Sequence, residues 1–75
     1  MTVRTKHIGN SEYEQREGGA EKVAELGGKQ MDKEVTRDDD NIVIIRSWPS
    51  MESAQAWCDY MTPHKGVISA EILED

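Results

Sequence analysis

A chain of 75 residues with a net charge of −6 has room for one small domain. Its acids run the whole length with no basic stripe to offset them, so it repels phosphate backbones, and nucleic acid is not an expected partner. No segment approaches the ~20 apolar residues that cross a bilayer, the opening MTVRTKHIGN lacks the apolar core of a signal peptide, and Cys58 is the single cysteine. The expectation is therefore a cytoplasmic protein with no intrachain disulfide.

Residues 2–8, TVRTKHI, read as a first strand, with β-favouring Thr and Val interrupted by Arg4 and Lys6. Gly9-Asn10 signals a turn. Ser11 with Glu14 three residues on matches a capping box, predicting a helix over residues 12–26 with a thin stripe of Tyr13, Ala20, Val23, Ala24 and Leu26. Gly18-Gly19 interrupts it at about 1 kcal/mol per glycine relative to Ala, which predicts a kink or a late start near Gly19. Gly27-Gly28 supplies the glycine that ends helices. Residues 29–36 alternate, with Met31, Val35 and the stems of Lys29 and Lys33 on one face and Gln30, Asp32 and Glu34 on the other. That pattern predicts a half-exposed edge strand. Residues 37–41 form a polar turn.

Residues 41–47, NIVIIRS, carry the strongest strand signal. Ile42 and Ile44 lie on one face, Val43 and Ile45 on the other. A strand apolar on both faces needs cover on both. One small domain has helices for only one face, so a second copy is expected on the other, and small cores commonly need such reinforcement. The second helix opens at Pro49-Ser50, with Ser50 as N-cap, Glu52 in the first turn, and a buried stripe of Met51, Ala54, Trp57, Cys58 and Met61. Thr62-Pro63 ends it. VISAEIL is the last strand, with Val67 and Leu73 on one face and Ile68, Ala70 and Ile72 on the other. The expected dimer interface is Val43, Ile45, Ile68 and Ile72. The order β-α-β-β-α-β is the ferredoxin-like α+β plan: a four-stranded antiparallel sheet, two helices on one face, and the first strand central.

GGKQ followed by IVIIRSWPSMESAQAW resembles the pattern G-G…V-V-I-E-F-P-S-M-E-A-A-x-x-W of the dimeric α+β barrel superfamily. Within it the resemblance is to the small DUF1330-like proteins, with antibiotic-biosynthesis-monooxygenase-like and stress-responsive barrel proteins more distant. The matching positions are Gly27, Gly28, Ile42, Val43, Ile44, Ile45, Pro49, Ser50, Met51, Glu52, Ala54 and Trp57, within residues 27–59. The resemblance implies a protomer whose sheet packs face to face on a second copy. The chain departs from the pattern where Thr62-Pro63 shortens the second helix and where the first helix is more polar.

No catalytic motif is present. Tyr13, Arg46, Trp48, Trp57 and His64 are the candidate ligand-binding residues. Trp48 and Trp57 could line a cleft between sheet and helices, but Trp57 lies on the apolar stripe, so core or interface anchors are the preferred reading. Tyr13 and Arg46 are expected to face the helix–sheet cavity. Arg46 shares a face with Ile42 and Ile44, so it must pair with an acid or reach the rim. His7 and His64 have no carboxylate or Cys at ligand spacing and read as surface histidines. Cys58 reads as a buried small hydrophobe. Asp38, Asp39, Asp40 and Asn41 lack calcium-loop spacing and read as a solvated turn. No metal or cofactor is expected. The functional expectation is a small homodimeric, non-enzymatic binding or interaction module. The alternative is a cofactor-independent monooxygenase or isomerase acting on a small apolar ligand held between sheet and helices. A cavity of ~300 Å³ or more that holds Arg46 or a His would favour ligand binding.

Overall fold

The computed structural model describes residues 3–29 and 31–73. Thr2, the expected start of the first strand, and Gln30, expected on the solvent face of the second, lie outside the described residues. The elements are β1 (Val3–Gly9), α1 (Gly19–Glu25), β2 (Lys33–Asp38), β3 (Asn41–Trp48), α2 (Met51–Met61) and β4 (Val67–Leu73). The strands form one antiparallel sheet in the order β2-β3-β1-β4, the ferredoxin-like topology. The strand with the weakest local signal, β1, is central. Pairing on both edges overrides its propensity, and the alternation of VRTKHIG places Val3, Thr5, His7 and Gly9 under the helices.

Both helices cover the same side of the sheet. Val23 of α1 and Ala54, Trp57 and Met61 of α2 close one core over Trp48. Trp48 is 1% exposed and its Nε1–H donates to Thr5 Oγ1 at 2.9 Å, so its one polar group is satisfied inside the core. α2 starts and ends as its sequence predicts and buries Ala54, Trp57, Cys58 and Met61, but Met51, expected on the same stripe, sits in the first turn half exposed. Ser50 Oγ accepts from the Ser53 N–H at 3.2 Å, and Thr62 closes the far end on the Cys58 carbonyl before Pro63.

α1 is shorter than the capping box implied. Asn10 takes over that turn instead: its Oδ1 accepts from the Glu12 N–H at 2.9 Å and its carbonyl accepts from the Tyr13 N–H at 3.0 Å. The Asn10 N–H in turn donates to the Gly66 carbonyl at 2.7 Å, which ties the segment to the turn before β4. A Cβ on Gly66, at φ +88°, would collide with the Tyr13 backbone. Gly18 stands at φ 83° and starts the helix late. A Schellman turn ends it, with Gly27 N–H to Ala24 O at 3.1 Å and Gly28 N–H to Val23 O at 2.9 Å. β2 begins at Lys33, four residues later than expected, and Met31 lies before it at 89% exposure. Asp39 and Asp40 make a two-residue hairpin turn with Asp39 at φ 57°.

The other sheet face has no helix over it among the described residues. The register places Val43 opposite Ile8 there, with Ile45 beside Lys6 and Leu73 beside Arg4. Ile72 does not join them. It pairs with Thr5 on the helix side and packs against the core. A bulge between Ile8 and Gly9 shifts the register of β4, so Val67 turns to the core and Ile68 is left exposed. The expected interface set is therefore divided. Val43 and Ile45 lie on the bare face and Ile72, in regular register with Thr5, on the helix side, while the bulge, which a period-two reading cannot anticipate, separates Val67 from the Leu73 face and leaves Ile68 unpaired. No helix among the described residues is long and apolar enough to cross a membrane.

Candidate functional site

Two helices cannot cover four strands when one of them has seven residues. α1 and α2 close over β1, β4 and the end of β3, and leave a cleft above β2 and β3. Its volume is about 300 Å³. The floor is set by sheet register: Arg46 and Lys33 pair in one row, Ile44, Val35 and His7 in the next, Ile42 beyond. Trp57 and Met61 of α2 form one wall, and Tyr13, Gln15, Arg16 and Gly19 of the segment leading into α1 form another.

Arg46 is the central group. It is 7% exposed, and its Nε and Nη1 have no hydrogen-bond partner. Its guanidinium lies 5.5 Å from the centroid of the Trp57 ring. Burial pulls its pKa down, though an arginine stays charged near neutral pH. Neither the anticipated escape to the rim nor pairing with an acid is seen among the described residues: β1 and β2 flank it on both sides, and none of the described acidic side chains lines the cleft.

His7 corrects its sequence reading. It is 2% exposed rather than a surface residue. Its Nε2 meets Tyr13 Oη at 3.4 Å, while Nδ1 is buried without a partner. Burial first, then the charges of Arg46 and His64, lower its pKa from 6.5 to about 4, so it is neutral near pH 7. Burial likewise pushes the Tyr13 hydroxyl up. The signal for His7 was in the strand alternation: once the first strand is central, a residue in phase with Val3 and Thr5 must lie beneath the helices.

Of the five candidates, Tyr13, Arg46 and Trp57 converge on the cleft. Trp48 does not, since it fills the core behind Trp57 with ring centroids 5.2 Å apart. His64 stands behind the wall, edge-on to Tyr13 with its ring nitrogen against the Glu14 carbonyl. Arg16 was missed. It stacks on Tyr60 at 3.9 Å and donates to the Tyr60 carbonyl, which holds it at the cleft wall. Cys58 is buried and its thiol is pushed up by burial, then by Asp59 and Glu71, the environment of an inert packing residue. Among the described residues, no group of three or more His, Cys, Asp or Glu side chains could hold a metal ion.

Comparison with protein-family models and with curated proteins finds no match.

Proposed function

We propose that this chain is a small-molecule-binding protein that works as a homodimer, with the cleft over β2 and β3 as its binding site. One observation carries the binding reading: a cleft of about 300 Å³ contains a buried arginine whose Nε and Nη1 have no partner within the fold. Buried polar groups are nearly always satisfied, and the exceptions mark functional sites. The volume sits at the lower end of small-ligand pockets. In this reading Tyr13, Arg46 and Trp57 contact the ligand, Trp57 doing so in addition to its place in the core, and His7 joins them.

Binding without turnover is favoured over the isomerase or monooxygenase alternative. Proton abstraction needs a base whose pKa lies near the working pH. His7, at about 4, is a weak base in the free protein. For the dimer, support comes from the bare sheet face with Ile8, Val43, Ile45 and Leu73, and from the resemblance of GGKQ and IVIIRSWPSMESAQAW to proteins that pair through that face.

A fragment screen read by amide chemical shifts tests the site. Hits should cluster on Tyr13, Val35, Ile44 and Trp57. Hits that map elsewhere, or none, refute it. Light scattering at micromolar concentration tests the dimer, and a folded monomer there refutes it.

A further inference from the structure

The charges around the cleft run against those of the chain. Overall the protein holds fifteen acids and nine Lys or Arg. Around the cleft, among the described residues, stand Arg16, Lys33 and Arg46, and no Asp or Glu. The three differ in what holds them. Arg16 is stacked on Tyr60, Lys33 is exposed at the β2 rim, and Arg46 is buried on the floor with two unpartnered nitrogens. The exposed and half-buried cations provide a positive approach, and the buried one a fixed destination. In a confined, low-dielectric site such an arrangement attracts anions, and a guanidinium is matched in shape to a carboxylate.

The rest of the lining limits what the anion is attached to. Val35, Ile42, Ile44, Met61 and the Trp57 ring are apolar. Only one cation is buried, which suits a single negative charge and not a polyphosphate. The volume equals that of about ten liquid waters, enough for roughly ten to fifteen non-hydrogen atoms. We propose, building on the reading of the cleft as a binding site, that its ligand is a compact apolar monocarboxylate, with the carboxylate against Arg46 and a flat or branched hydrocarbon body between Trp57 and Ile44. The unpartnered His7 Nδ1 is the second polar contact: when Tyr13 donates to Nε2, Nδ1 bears the proton and donates to the anion.

The test compares acids with their neutral isosteres. Benzoate, 2-naphthoate and octanoate are titrated beside benzamide, 2-naphthamide and octanamide, with binding followed on the indole N–H resonances. Trp57 Nε1–H is buried and unpartnered, whereas Trp48 Nε1–H is held by Thr5, so the Trp57 resonance should move and the Trp48 resonance should stay. At least one acid should bind tenfold or more tightly than its amide. Arg46→Met and Arg46→Gln should each remove that preference, and Arg46→Lys should retain part of it. If amides bind at the cleft as tightly as acids, the anion assignment is overturned while the binding site stands. If no acid and no amide moves Trp57, both fail. If the acid preference survives in Arg46→Met, the charge lies elsewhere and the assignment to Arg46 is wrong.

Discussion

Replacing Arg46 by Met should stabilise the fold, although Arg46 is among the least exposed side chains of the sheet. Two buried guanidinium nitrogens without partners cost about 1–3 kcal/mol each. Against this stands the contact with Trp57 at 5.5 Å, which contributes about 0.5–1 kcal/mol. Water entering the cleft recovers a further part of the cost. Met has a similar length, tolerates irregular surroundings and keeps a favourable sulfur–aromatic contact with Trp57. The expected net gain is about 1–3 kcal/mol. For a chain of this size, each kcal/mol raises Tm by about 4–8 °C. Urea unfolding at pH 7, followed by tryptophan fluorescence at fixed protein concentration, measures it. The midpoint should rise with an unchanged m-value. The same variant removes a charge that holds His7 down, so the His7 pKa should climb from about 4 towards its ordinary value. A lower urea midpoint at constant m would mean that Arg46 is satisfied by a partner group within the fold and is not free to receive an anion.

Three further outcomes follow from other parts of the structure. Because His7 is held at about 4 when folded against 6.5 unfolded, the unfolded chain takes up this proton first on acidification. This contribution is fully present above pH 6.5, falls by about 3 kcal/mol in total between pH 6.5 and 4, and is flat below; His7→Asn should remove that part of the slope, and an identical pH profile for the variant would contradict the buried neutral imidazole. Gly28→Ala places a methyl 2.8 Å from the Trp48 ring and 3.1 Å from Val23, so it should cost about 1–3 kcal/mol by overpacking, and a loss under 0.5 kcal/mol in denaturant titration would show that the α1 turn can lift away. Thr5→Val keeps the shape but strands the Trp48 indole N–H, for a loss of about 1–3 kcal/mol, and an unmoved Trp48 indole resonance would mean the hydrogen bond is not made.

Local rules were sufficient for α2. Ser50, the stripe of Ala54, Trp57, Cys58 and Met61, and Thr62-Pro63 specify its start, buried face and end, and all three appear in the structure; Met51, also expected on the buried stripe, is instead half exposed in the first turn. They were sufficient for the two faces of β3 as well, since alternation is a property of the strand alone. Between Asn10 and Gly18 they were right in part: the Gly18-Gly19 pair announced the late start at Gly19, and the helix expected from residue 12 did not form. There the capping box at Ser11 and Glu14 lost to the Asn10 turn, the tie to Gly66 and the left-handed Gly18. The Asn10–Gly66 tie joins residues more than fifty positions apart, which no window on the chain contains. The same holds for β4, where a one-residue bulge moved Ile68 and Val67 off their expected faces.

The sequence by itself determined the element order, the topology class and the residue that matters most in the cleft, because Arg46 follows Ile42 and Ile44 by strict period two. Only the tertiary structure decided that Arg46 would have no acid beside it, that His7 would be buried and neutral, and that a cleft would open at all. The cleft opens because α1 has only seven residues, while His7 is covered by Tyr13 and Trp57. The length of α1 is set by the left-handed Gly18, which the Gly18-Gly19 pair announces in the sequence, together with packing of the preceding segment against Tyr60 and the Gly66 turn.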